Sequence, residues 1–221
     1  MLQSIYYLLF PPKCVLCKKL LEKNESDFCH DCRKNAPEFK KSNLKLSFLA
    51  GWTSVWYYKD KVSESIRRYK FSGRRSYASA YGRMLAMKLQ KQDWAPFDIL
   101  TYVPIAFWRR FSRGYDQVEL LCDAVGKELG FTPIRTLKKI RNTPPQSGIR
   151  DASRRRANVL GAYRATCPDV VKGKRILLLD DVITTGATAS ECARVLLTAG
   201  AKEVICASVA VTDHKTKNVG E

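Results

Sequence analysis

Hydrophobic positions along the chain follow three patterns. Ile176-Leu177-Leu178-Leu179 is apolar without alternation, as in a parallel strand buried on both faces. A helical pattern follows from Gly186 to Ala199, with Gly200 placed as its C-terminal cap, and Glu203 to Val211 reads as a further strand. Together these predict a βαβ unit with a right-handed crossover. Upstream, Trp52 to Tyr58 alternates in an aromatic, β-prone way and predicts a strand. Val62 to Phe71 predicts a basic helix that turns Ile66 and Tyr69 to the core and keeps Arg67, Arg68 and Lys70 out of it, and Ser72-Gly73 breaks it. Ser76 to Gln90 predicts a second helix with Ala80, Met84, Met87 and Leu89 among its apolar positions. Asp98 to Val103 predicts a strand closed by Pro104, Asp116 to Leu129 a helix ended by Gly130, and Ile134 to Ile140 a strand. Asn35 to Leu46 is polar with little pattern and reads as a linker. The fold class expected from this succession is α/β with a parallel sheet.

Composition narrows the picture. The 221 residues suffice for one α/β domain plus a small module, and 45% hydrophobic content allows a real core. The formal net charge of +18 points to anionic partners such as nucleic acid or phosphorylated small molecules. Met1 to Pro12 is apolar but too short to span a bilayer, and it lacks the charged start and small-residue cleavage site of a signal peptide. No other segment reaches transmembrane length. The expectation is a cytoplasmic protein without membrane insertion, in which the eight cysteines do not form disulfides.

Four of those cysteines fall in the first 32 residues, as Cys14-Val15-Leu16-Cys17 and Cys29-His30-Asp31-Cys32. Two C-x-x-C pairs eleven residues apart predict a tetrahedral Zn²⁺ site made of two knuckles. His30 is an alternative ligand to Cys29. Lys13, Lys18 and Lys19 would offset the thiolate charge. So short a segment buries little core, so the metal is expected to fold it. Cys192 and Cys206 sit in apolar patterns and read as packing residues.

The richest chemistry follows the 176–179 run. Asp180-Asp181 are succeeded by Thr184-Thr185-Gly186-Ala187-Thr188, where a turn opens the helical pattern. A helix start offers free N–H groups and the positive end of its dipole to a phosphate. Thr184, Thr185 and Thr188 add hydroxyl donors, and Gly186 lets the backbone approach closely. The two carboxylates, one step away at the strand end, suit the 2′- and 3′-hydroxyls of a ribose. A second anion site is expected where Val103-Pro104 is followed by Arg109, Arg110 and Arg113-Gly114-Tyr115-Asp116-Gln117. A third basic segment runs from Arg141 through Pro144-Pro145 and Gln146 to Arg154-Arg155-Arg156, placed either over a bound diphosphate or on a nucleic-acid backbone. The basic-aromatic stretch Arg67 to Arg75 suits a single strand, with Tyr69 or Phe71 as stacking rings.

The 180–188 segment resembles the phosphoribosyl diphosphate (PRPP) motif of type I phosphoribosyltransferases. The chain as a whole is similar to the ComF family, through its cysteine pairs, Tyr69-Lys70-Phe71-Ser72-Gly73, Val103-Pro104 with Arg109, Arg113-Gly114-Tyr115-x-Gln117, Thr143-x-x-Gln146, Asn158-Val159-x-Gly161-Ala162-Tyr163 and the PRPP motif. Where the family more often has Phe-Asn, this chain has Tyr115-Asp116, which sets a negative charge beside the expected diphosphate site. The resemblance implies a zinc-ribbon module and linker over 1–45, a phosphoribosyltransferase-like domain over 46–215 and a polar tail over 216–221. It implies that Asp180 and Asp181 hold the ribose and help place Mg²⁺, that Thr184 to Thr188 wrap the 5′-phosphate, and that Pro104, Arg109 and Arg113 serve the diphosphate. PRPP or ribose 5-phosphate, single-stranded DNA and other competence proteins are the partners implied, in DNA uptake during natural competence. An acceptor base is not implied; Tyr57, Tyr58 and Tyr163 are the candidates for its hood. Two readings without turnover stand beside the transferase: a single-strand-binding competence factor, and a zinc-ribbon adaptor, each with a PRPP-sensing or vestigial pocket.

Overall fold

The computed structural model describes residues 11–142 and 157–213. Its strands are β1 (Gly51–Tyr57), β2 (Ile99–Tyr102), β3 (Leu137–Lys139), β4 (Tyr163–Ala165), β5 (Arg175–Ile183) and β6 (Glu203–Val211). Four of them form a wholly parallel sheet in the order β1-β6-β5-β2, and β3 pairs with β4 as a separate antiparallel ribbon. The helices are α1 (His30–Asn35), α2 (Asp60–Phe71), α3 (Tyr77–Gln90), α4 (Phe107–Arg113), α5 (Gln117–Leu129), α6 (Pro168–Val171) and α7 (Ala187–Thr198). The parallel α/β class expected from the sequence is the one found.

The central strands are apolar on both faces because both faces are covered. Leu177 and Leu179 of β5 pack into a cluster with α2, α3 and α5, while Ile176 and Leu178 point the other way, toward α7. The period-2 alternation of a strand thus divides one continuous apolar run between two cores. Cys192 and Cys206 are fully buried in the second core, as packing residues.

Three expectations are corrected. The acids at 180 and 181 do not follow the strand but lie within it. β5 stays paired with β6 as far as Ile183↔Val211, because β6 is nine residues long. On its other edge the ladder ends at Tyr102↔Leu179, because β2 has only four residues. The acids begin where that neighbour stops. Second, the segment read as a linker is a strap: the Phe39 N–H bonds Val55 O at 2.9 Å, the Tyr57 N–H bonds Pro37 O at 2.7 Å, and Phe39 is buried. Third, the strand expected over Ile134 to Ile140 is confined to Leu137–Lys139; and Phe107 to Arg113, whose sequence has no apolar stripe, forms a helix with no buried residue. The strand β4 was likewise not anticipated from its three residues.

The cysteine segment is built into the first core. Cys14, Val15, Leu16, Phe28, Cys29 and Cys32 are buried in the same cluster as Ile66 and Tyr81. Ser65 Oγ donates to Val15 O at 2.6 Å, and Arg68 Nη2 donates to Val15 O at 3.0 Å and Leu16 O at 2.6 Å. Arg83 grips Asp27 through two bonds of 2.8 and 2.6 Å. Among the described residues no helix is long and apolar enough to cross a membrane.

Candidate functional site

The early end of β2 leaves a cleft beside β5, and the cavity there measures about 1040 Å³. Asp180, Asp181, Thr184 and Thr188 line its floor from β5, the turn before α7 and the first turn of α7. Val103 and Pro104 enter from the end of β2, Arg109 and Arg113 from α4, and Lys70 and Phe71 from the end of α2. Lys139 and Tyr163, cross-strand partners in the β3–β4 ribbon, close the far side.

The carboxylates are held in a graded network. Lys70 Nζ lies 2.7 Å from Asp181 Oδ1, and Gln117 Nε2 donates to Asp181 Oδ2 at 2.9 Å. Arg113 Nη1 donates to Gln117 Oε1 at 2.8 Å while its guanidinium lies 4.7 Å from the centre of the Phe71 ring. Asp181 is therefore matched by a cation and an amide. Asp180 accepts from the Asp181 N–H at 2.8 Å. Burial, and next the neighbouring Asp181 charge, push the Asp180 carboxyl up to about 8 against the pull of Lys70. Burial, with Arg109 nearby, brings the Lys139 ammonium down to about 8. A site with these two groups is poised to take a ligand carrying both hydroxyls and anionic charge, since such a ligand restores the charged forms.

Asp116 sits beside the loop of Pro104 and Ile105, as expected, and has a structural role there. It is buried and caps α5, accepting from the Val118 and Glu119 N–H groups at 2.9 and 3.2 Å and from the Ile105 N–H at 3.2 Å. Its charge is spent on a helix start and on the loop that follows β2. Tyr69, expected as a stacking ring, is wholly buried, and its hydroxyl donates to Gln117 O. Of the hood candidates, Tyr58 and Tyr163 line the cavity, while Tyr57 packs on Phe39 and donates to Lys41 O at 2.6 Å.

The cavity thus brings together Asp180, Asp181, Thr184, Thr188, Pro104, Arg109 and Arg113. Thr185 and Ala187 lie on the reverse of the turn, in a second cavity of about 510 Å³. Gly186 holds φ +73°, and a Cβ there would stand 1.8 Å from Leu46 Cδ2, so the strap and not only a ligand demands glycine. Lys70, Lys139 and Trp108 line the site without having been singled out for it in the sequence. Lys70 was excluded by the helical period, which marks it as core-averse and cannot show that a helix end abuts a strand end. Gln117 was quoted within a motif, but its role as the bridge from Arg113 to Asp181 needs the fold. Thr143, Gln146 and the arginines at 150 and 154–156 lie outside the described residues.

The second site is the thiol cluster. The sulfurs of Cys14, Cys17, Cys29 and Cys32 all lie within 4.8 Å of one another, and Cys17 Sγ and Cys29 Sγ are 3.6 Å apart. A tetrahedron with bonds of about 2.3 Å has edges of roughly 3.8 Å, so the cage fits a structural Zn²⁺. Burial raises the Cys17 and Cys32 thiols, whereas at Cys14 burial is outweighed by the N–H groups of Cys17, Cys29 and Leu16, which bring that thiol down. His30 is exposed and outside the cage, its N–H given to Glu25 Oε1 at 2.5 Å.

A parallel sheet with an acid pair at a strand-end cleft, facing a threonine-rich turn at a helix start, defines a phosphoribosyltransferase-type domain. A family model described as "Phosphoribosyl transferase domain" matches residues 128–220, and one described as "Double zinc ribbon domain" matches residues 5–43. The DNA utilization protein YhgH of Salmonella typhi is 32% identical over 156 residues, covering 68% of this chain and 67% of that protein. Competence protein F of Haemophilus influenzae is 28% identical over 200 residues, covering 87% and 82%. Competence protein ComFC of Streptococcus pneumoniae is 27% identical over 228 residues, covering 87% and 96%. The chain belongs to the ComF family of phosphoribosyltransferase-domain proteins with an N-terminal zinc ribbon.

Proposed function

We propose that the large cavity binds PRPP. One observation carries the reading: the fold brings Asp180 and Asp181, Thr184 and Thr188, and Arg109 and Arg113 to the walls of a single cleft. The 5′-phosphate would sit on the threonine turn against the N–H groups that open α7. The ribose hydroxyls would donate to the acid pair, and the diphosphate would extend toward Pro104, Arg109 and Arg113. Carboxylate and diphosphate oxygens form a hard donor set that suits Mg²⁺, with Asp180 and Asp181 as the protein's share; when bound, the ion neutralises charge on the diphosphate. In a transferase reading, the cleft aligns C1 of PRPP with an acceptor nitrogen, and diphosphate leaves as the new C–N bond forms. In a sensor reading, the same contacts bind PRPP without release. Diphosphate release across a panel of bases separates the two.

The names of the relatives support a setting in DNA uptake or use, and the charge of +18 supports single-stranded nucleic acid as a partner. A cytoplasmic location is part of the same proposal.

Thermal denaturation tests PRPP binding. Ligand at about 100-fold over its Kd adds about 2.7 kcal/mol, which in a chain this size raises Tm by about 5–10 °C. Ribose 5-phosphate, lacking the diphosphate contacts, is expected to give a smaller rise. No rise at millimolar PRPP with Mg²⁺ would count against the proposal.

A further inference from the structure

We propose that the outer face of α4 is a stacking platform for single-stranded nucleic acid, at the rim of the proposed PRPP cleft. The inference rests on the reading of this protein as one that handles DNA and deepens it by naming the surface. Phe107, Trp108 and Phe111 are 70%, 64% and 76% exposed, and Phe71, whose ring lies 4.7 Å from the Arg113 guanidinium of α4, is 69% exposed. These rings contribute nothing to a core, since α4 has no buried residue. Phe107 and Phe111 are one helical turn apart and so share a face, and the Phe107 and Trp108 rings meet edge to face at 5.8 Å.

The chemistry of the surface selects the occupant. α4 reads Phe-Trp-Arg-Arg-Phe-Ser-Arg, with three rings, three arginines and no acid. Exposed Arg67 lines the same cleft as Trp108, and Arg75 reaches the end of α4 by donating to Gly114 O at 3.0 Å. A single strand presents the same alternation in complement: flat π faces joined by anionic phosphates. A duplex hides those faces in its own stack, so rings of this kind do not serve it. Trp108 and Phe71 both line the cleft, so a strand laid on α4 would bring its bases toward the reacting end of PRPP.

The experiment is an anisotropy titration of full-length protein with labelled oligothymidylate at low and high salt. The comparison is with Phe107→Ala plus Phe111→Ala, two residues outside the cleft and free of core packing. The variant is expected to bind the strand roughly tenfold more weakly or worse, with an unchanged PRPP-induced rise in Tm. Phe107→Leu plus Phe111→Leu is expected to lose nearly as much, because leucine keeps the apolar area and removes the π face. Equal strand binding by wild type and the alanine variant would overturn the platform while leaving a DNA-binding protein. No strand binding by wild type at low salt would overturn the DNA reading with it. Retention of binding by the leucine variant, or ring-dependent binding to phosphatidylglycerol vesicles with ring-independent binding to the strand, would overturn stacking in favour of apolar insertion.

Discussion

Loss of the metal cage is expected to unfold the domain around it, and not the ribbon alone. Cys14→Ser with Cys17→Ser, or chelation of zinc, should lower global stability by about 3 kcal/mol or more. The reason is the continuity of the core. The knuckle residues Val15 and Leu16 are buried against Ile66 and Tyr81, and Phe28 packs edge-on to Trp56 at 5.7 Å. When the knuckle melts, Arg68 Nη2 loses both of its carbonyl acceptors, and Ser65 Oγ keeps only its bond with the Tyr81 hydroxyl. A buried donor left unmet costs about 1–3 kcal/mol, and lost apolar contacts add to it. Urea denaturation followed by far-ultraviolet circular dichroism measures this. A metal-free protein with an unchanged midpoint and slope would show that the cage stabilises only itself.

Asp180→Asn is expected to strengthen the fold and weaken the ligand site together. The Asp180 carboxyl is raised in the folded protein to about 8 by burial and the Asp181 charge, and reverts to an ordinary carboxylate on unfolding. Between about pH 4 and pH 8 the folded state therefore holds a proton that the unfolded state has lost. Stability falls as pH rises through that window. Asparagine keeps an oxygen to accept the Asp181 N–H and carries no charge, so the variant should escape the fall and exceed wild type by about 0.5–2 kcal/mol near pH 8. At pH 4 the two should be nearly equal. Denaturant midpoints at the two pH values, without Mg²⁺ or PRPP, provide the check. A variant less stable than wild type at pH 8 would mean that Asp180 is charged and satisfied in the free protein.

Local signals in the chain described the strands of the parallel sheet, the longer helices and the cysteine cage. The βαβ unit of β5, α7 and β6 was legible because an apolar run buried on both faces and a capped amphipathic helix are local patterns. The cysteine cage was legible because two knuckles need only spacing. α4 was not, since a helix that buries nothing has no stripe. The extension of β5 through Asp180 and Asp181 was not, because it depends on the length of β6, a strand twenty residues further on. For the same reason Lys70 was read as solvent-facing: its place against Asp181 arises from the approach of a helix end to a strand end, 111 positions away in the chain. Tyr69 was read as a core residue from periodicity and as a stacking ring from its basic neighbours; burial decided for the first. Asp116 was legible only in part: its charge lies beside the Pro104–Ile105 loop as expected, but its bonds to that loop and to the start of α5 need the fold.

The most direct test of the account is calorimetric titration of PRPP with Mg²⁺ into wild type and into Asp180→Asn with Asp181→Asn. The cleft described here predicts saturable binding by the wild type and a loss of at least about 100-fold in the double variant. Two buried hydroxyl contacts to charged acceptors, at about 1.5–3 kcal/mol each, would be weakened together. The variant should remain folded, with the threonine turn and arginines intact. Equal affinity in the two proteins would contradict the assignment of the acid pair to the ribose, and with it the identity of the cleft.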